Sequence, residues 1–144
     1  MNRWLVKSDP DEYSADDLAR ERTTQWTGVR NALAQIHVRA MREGDAVLVY
    51  HTGAQKAVIA VARVSSQPRA DLTDTSGRSQ TVELAFESRL PRPVALAEIK
   101  AHPACRDFAL VKMSRLSVMP VSDQQWNAIL ALANSASPGK PRGR

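Results

Sequence analysis

The sequence predicts an α+β fold: a small, strongly bent β-barrel or mixed sheet of at least five short strands with flanking helices. Three observations lead there. Short apolar runs rich in β-branched residues recur along the whole chain. Two of them, "DAVLVYH" at 45–51 and "KAVIAVARV" at 56–64, are separated only by "TGAQ", which suits a hairpin and is too short for a parallel crossover. Segments with helical spacing lie between strands or at the C-terminal end, which argues against a doubly wound sheet.

Taken in order, "RWLVK" reads as a first strand, and "SDPDEY" breaks it. Ser14, with Asp17 three residues on, marks a helix start for "SADDLARE". Residues 23–31, "TTQWTGVRN", read as a loop. From Val29, the residues Leu33, Ile36 and Ala40 recur at near-helical spacing and predict about three turns of helix, ending near Met41 and before Gly44. After the hairpin, "SQPRADLTDTSGRSQ" is the largest loop. "TVELAFE" alternates as a half-buried strand. "LPRPVAL" carries two prolines and leads into a short helix, "LAEIKAH". "FALVKM" and "RLSVMPV" read as one interrupted strand or two. Ser122 with Gln125 forms a capping-box pattern, and Trp126, Ile129, Leu130 and Ala133 then line one helix face.

The 144 residues suit one domain, taken here as 1–134, followed by a basic, disordered tail at 135–144. A chain of this length buries roughly 70% of its unfolded surface and needs no disulfide or metal to hold it together. The single cysteine and the lack of an N-terminal apolar segment predict a cytoplasmic protein with no membrane partner. The formal net charge is +5, but the tail alone carries Lys140, Arg142 and Arg144 without an acid. The remainder has 17 basic and 15 acidic residues, so bulk charge is a weak argument for a polyanion partner.

Several chemistries find no support. His37, His51 and His102 lie far apart, and no metal-ligand spacing occurs. There is no G-x-G-x-x-G, Walker or G-x-S-x-G motif. His102 and Cys105 are three residues apart, a spacing that carries little weight for a nucleophile pair beside the ordinary role of cysteine as a small core residue. The sequence therefore predicts no metal and no cofactor.

What remains is Trp26, in a polar stretch of a chain that is only 5% aromatic. It either caps the core beneath a loop or offers its flat face to a planar ligand. One base stacked on an aromatic is worth ~1–3 kcal/mol. Arg30 could grip a phosphate with two donors, and the Asn31 amide could both donate to and accept from a base edge.

Four blocks, "WLVKSDPDEYSADDL", "WTGVRN", "GDAVLVYHT" and "SRLSVMPV", in this order and spacing, resemble the EVE domain family from about residue 2 to 133. The resemblance implies a PUA-like fold related to YTH and ASCH domains, and a pocket that reads a modified base, as YTH domains cage a methylated base of RNA. By matching positions, it implies that Lys7 and Ser8 end the first strand at the pocket and that Trp26 forms a wall. Val29, Arg30 and Asn31 continue the rim. Tyr50, His51 and Thr52 enter from the hairpin, and Arg115, Leu116 and Ser117 from a late strand. The family commonly continues R-N-Y-Q-A-R-N where this chain reads "RNALAQI". Ala32, Leu33, Gln35 and Ile36 thus depart from the pattern, which implies a roomier or weaker site if those positions touch ligand.

The expected function is a non-catalytic nucleic-acid-binding module. Its aromatic-walled pocket would take a modified base, methylated cytosine-like or adenine-like, carried by DNA or RNA. The rival is an ASCH-like hydrolase of a modified nucleoside such as an acylated cytidine, with Lys7 activating the Ser8 hydroxyl beside an acid. A partner-binding role with a vestigial pocket is a third reading.

Overall fold

The computed structural model describes residues 1–135; the tail expected at 135–144 lies outside them apart from Ser135. Strand β1 (Arg3–Ser8) buries Trp4, Leu5 and Val6. Strand β3 (Ala46–His51) lies parallel beside it and is buried throughout. Its hairpin partner β4 (Ala57–Val64) runs antiparallel, with a register shift after Val49. The next neighbour is β7 (Glu83–Ala95), a 13-residue strand that carries the sheet past both prolines. Ala60 pairs with Arg89 but Val58 with Val94, so residues 90–93 face only Ile59. Pro91 and Pro93 sit in that bulge, where the ladder requires no N–H from them. Bulges of this kind bend a strand, and the six-stranded sheet curls into a half-barrel.

At one edge β7 pairs with β2 (Thr23–Gln25), and at the other β1 pairs with β8 (Val118–Pro120), giving the order β2-β7-β4-β3-β1-β8. The sequence reads 23–25 as loop, and the structure makes it an edge strand. Two of its three residues are exposed, so no apolar alternation marks it. A second departure lies inside the large loop, where β5 (Arg69–Ala70) pairs with β6 (Gln80–Thr81).

Helix α1 (Ala15–Glu21) starts at the expected Ser14–Asp17 capping box and buries Ala15 and Leu18. Helix α2 (Ala32–Ala40) begins three residues later than its apolar spacing suggests, because Asn31 caps it. Helix α3 (Leu96–Ala101) leads to a 3-10 turn at Pro103–Cys105. The "FALVKM" segment is not a strand but one helical turn, α4 (Ala109–Lys112), with Phe108 and Leu110 buried. An apolar run this short does not distinguish helix from strand by periodicity. Helix α5 (Asp123–Ala133) has the expected Ser122–Gln125 capping box and packs against β7. No helix among the described residues is long and apolar enough to cross a membrane.

Trp4 is a core residue with a polar anchor. It is 5% exposed, and its Nε1–H donates to Asp45 Oδ2 at 2.9 Å. Asp45 also accepts the backbone N–H groups of Asn2 and Arg42. Trp4→Phe keeps the aromatic packing but removes one donor from a buried carboxylate. The expected loss is about 1–3 kcal/mol, read as a lower urea midpoint with an unchanged m-value.

Candidate functional site

A cleft of about 490 Å³ opens where the end of β1, the turn after it and the β2–α2 connection meet. The backbone fixes this junction. Lys7 N–H donates to Ser117 O at 2.9 Å and Thr52 N–H to Ser8 O at 2.9 Å. In the turn after β1, the N–H groups of Glu12 and Tyr13 both donate to Asp9 O at 2.9 Å. Beyond β2, Trp26 N–H donates to Val82 O at 2.9 Å, holding the indole-bearing backbone against the barrel.

Trp26 is half-buried, packed on the core on one side and lining the cleft on the other. Tyr13 meets it edge-to-face, with ring centroids 6.1 Å apart and planes at 82°. The two rings form a perpendicular aromatic corner, a favoured geometry for such a pair. The Tyr13 hydroxyl contacts Glu21 Oε1 at 2.7 Å. Burial, chiefly, raises the pKa of this phenol and keeps it neutral. Gly28, also in the lining, has φ +86°, a conformation that side-chain-bearing residues rarely adopt.

Of the residues expected at the site, Lys7, Ser8, Trp26, Val29 and Ser117 line this cleft. Lys7 Nζ donates to Ser114 O at 2.8 Å and lies 5.9 Å from the Tyr50 ring centroid. Burial lowers its pKa. The Ser8 hydroxyl donates to the carbonyl of Tyr13. Lys7 and Ser8 are thus each engaged with backbone and not with one another.

The hairpin residues stand behind the cleft. Tyr50 is 4% exposed and lies beneath the Lys7 ammonium, and burial raises its pKa. His51 is buried; its Nε2 accepts Ala15 N–H at 2.9 Å, which leaves Nδ1 to donate to Gln55 Oε1 at 2.8 Å. Thr52 is tied through its backbone to Ser8.

Arg30 and Asn31 have other partners here than the phosphate and base edge their chemistry suggests. Arg30 Nη1 pairs with Asp71 Oδ2 at 3.0 Å and Nη2 donates to Thr73 Oγ1 at 3.1 Å. Asn31 Oδ1 accepts Ala34 N–H at 3.0 Å as the helix cap. Arg115 belongs to a neighbouring hollow of about 400 Å³, which it lines with Leu33, Met113 and Leu116. The Lys7–Ser114 bond joins the two spaces. The departures from the family pattern stay out of the first cleft. Gln35 is buried, with Nε2 donating to Val29 O and Gln80 O and Oε1 accepting Gln80 N–H. It clasps α2 to β6. Ile36 is exposed.

The local reading misses Tyr13, Thr24, Gln25 and Thr27, together with Asp9 and Glu12, all of which line the cleft. Tyr13 carried a usable signal, being one of only seven aromatics and lying within a matched block. The polar residues of β2 and its continuation carried none.

A profile of the EVE domain matches residues 2–132. Thymocyte nuclear protein 1 from Gallus gallus is 26% identical, over 90% of this chain and 67% of its own length. A protein from Rhodopseudomonas palustris, solved by NMR, is 38% identical with a TM-score of 0.87, covering 92% of this chain and 93% of its own. Human THYN1, solved in complex with 5-methylcytosine-containing DNA, is 25% identical with a TM-score of 0.89, covering 95% of this chain and all of its own. The fold is PUA-like, and the chain belongs to the EVE domain family.

Proposed function

We propose that this protein is a non-catalytic DNA-binding module whose cleft receives a methylated cytosine. The observation that carries the reading is the half-buried Trp26, facing a cleft whose second aromatic wall, Tyr13, stands perpendicular to it. The similarity to a protein solved with 5-methylcytosine-containing DNA supports it. A cleft of about 490 Å³ falls within the ~300–1,000 Å³ range of small-molecule pockets. A base stacked on Trp26 would bring its polar edge near Lys7, Asp9 and Glu12. Carboxylates suit the cytosine amino group, which donates, and an ammonium suits its carbonyl, which accepts. Lys7 spends one of its three donors on Ser114, leaving two for a ligand.

Burying the added methyl is worth about 0.8 kcal/mol, so preference over unmodified cytosine is expected at about fourfold. Phosphate attraction would supply most of the affinity, which should fall steeply with salt. Competition between oligonucleotides with and without a single 5-methylcytosine tests the reading. The expected result is a few-fold preference for the methylated one, and equal binding overturns the proposal. Arg115 makes no ion pair among the described residues. Arg115→Gln is expected to weaken both oligonucleotides alike and to reduce the slope of log K against log salt by about 0.7–0.9.

Turnover of a modified nucleoside would favour the hydrolase instead. In the present geometry the Lys7 ammonium and the Ser8 hydroxyl donate to different backbone carbonyls, and this is not the arrangement of a lysine activating a hydroxyl.

A further inference from the structure

Leu72 is 92% exposed, yet it stands in one of the most heavily hydrogen-bonded loops of the protein. The residues on either side of it are bonded to the rim of the cleft. Asp71, with a fully buried side chain, accepts Gly28 N–H and Arg30 Nη1 on Oδ2, both at 3.0 Å. Thr73 accepts Arg30 Nη2 and donates both its N–H and its hydroxyl to Asp71 Oδ1. The far side of the loop is closed by Asp74, which accepts from the N–H and hydroxyl of Ser76 and from Ser79 N–H. Below it, Asp71 N–H donates to Ser79 O, and β5 pairs with β6. A single exposed leucine is ordinary on a protein surface. An exposed leucine on a framed loop, bonded on both sides to the wall of a base-sized cleft, is a different object.

The charge around it has one sign available. Arg69 and Arg78 are exposed, whereas Asp71 is paired with Arg30 and Asp74 is consumed within the loop. Arg69 also reaches Gln25 Oε1 at 3.3 Å, on the cleft lining. A base that leaves a duplex leaves a gap in the stack, and proteins that distort DNA commonly insert an apolar side chain between base steps while cations hold the adjacent phosphates.

We propose that the 69–80 hairpin is a duplex-opening element. Leu72 fills the position vacated when the modified base enters the cleft, and Arg69 and Arg78 hold the flanking phosphates, while Arg30 stays paired with Asp71 and braces the loop. This rests on the base-reading role of the Trp26 cleft and extends it to a specific partner, double-stranded DNA. It separates two tasks: the cleft recognises the base and the hairpin lowers the cost of extracting it.

The test compares wild-type protein with Leu72→Ala and Leu72→Phe on one 5-methylcytosine oligonucleotide, single-stranded and as a duplex. A 2-aminopurine beside the methylated position reports unstacking. Leu72→Ala is expected to lower the ratio of duplex to single-strand affinity about tenfold and to diminish the fluorescence rise on duplex binding. Leu72→Phe restores both. The thermal midpoint of both variants should match wild type, because the side chain is solvated. An unchanged ratio and an unchanged fluorescence rise in Leu72→Ala overturn the wedge. Loss of methyl preference by the wild-type protein on single strands overturns the base-reading role itself, so the two failures are separable.

Discussion

Trp26→Ala is expected to abolish discrimination between methylated and unmodified cytosine while leaving much of the salt-sensitive affinity intact. Removing one base–aromatic stack costs ~1–3 kcal/mol, about 5- to 150-fold in affinity for a strand that presents the base. In the proposed reading the phosphate contacts come from other residues, so that share of the affinity should persist. Trp26→Phe should retain part of the stacking and part of the selectivity. The two variants are best read by competition binding at two salt concentrations. If selectivity survives in Trp26→Ala, the indole is not the platform, and the cleft reads nothing through it. Tyr13 loses its ring partner in the same variant, a secondary effect of about 0.5–1.5 kcal/mol on stability. A thermal melt separates that loss from the loss of recognition.

Asp71→Ala is expected to destabilise the protein by about 2–4 kcal/mol, combining the loss of a buried charge-assisted bond with an orphaned amide at Gly28. Its carboxylate is the buried anchor that fastens the large loop to the cleft rim, holding Gly28 N–H and Arg30 together. Burial on its own raises the pKa of this group. Hydrogen bonds from Thr73, Gly28 and Arg30 outweigh that and bring it from 3.8 to about 2. A folded-state value below the unfolded one means that the contribution is fully present above about pH 4. It is lost as pH falls through about 2. Asp74 is depressed in the same direction by its bonds to Ser79 and Ser76. Wild-type stability should therefore decline between pH 4 and pH 2 more steeply than that of Asp71→Ala, as followed by denaturant midpoints. The variant should also bind duplex less well than single strand relative to wild type, because Gly28 and the Leu72 loop lose their common anchor.

Local pattern carried a good deal of this. The hairpin of β3 and β4 was legible because two β-branched apolar runs and the short connection between them are contained in one stretch of chain. Helix α5 was legible because a cap and its first turn are neighbours in sequence. Asn31 was open to the same argument, since its partner is only three residues away, but the apolar spacing from Val29 pulled the helix start too far back. Strand β2 was not legible. An edge strand of threonines and glutamine is defined by the backbone of β7 beside it, and nothing in its own side chains records that pairing.

The cleft divides in the same way. Trp26 stands out in the sequence because an indole in a polar segment needs a reason. Tyr13 carried a weaker signal of the same kind, but its perpendicular placement against Trp26, the Arg30–Asp71 pair across 41 residues and the Leu72 loop beside the rim carried none.

By itself the sequence determined the α+β class, the hairpin, the capped helices and the tryptophan around which a site could form. Those follow from periodicity and short-range hydrogen bonding, which act within a few residues. Only the tertiary structure decided which cations are already paired, which ring faces Trp26 and which loop borders the cleft. Such contacts join residues well beyond a few positions apart, from Tyr13 with Trp26 to Gly28 with Asp71, and their geometry is set by the curl of the sheet.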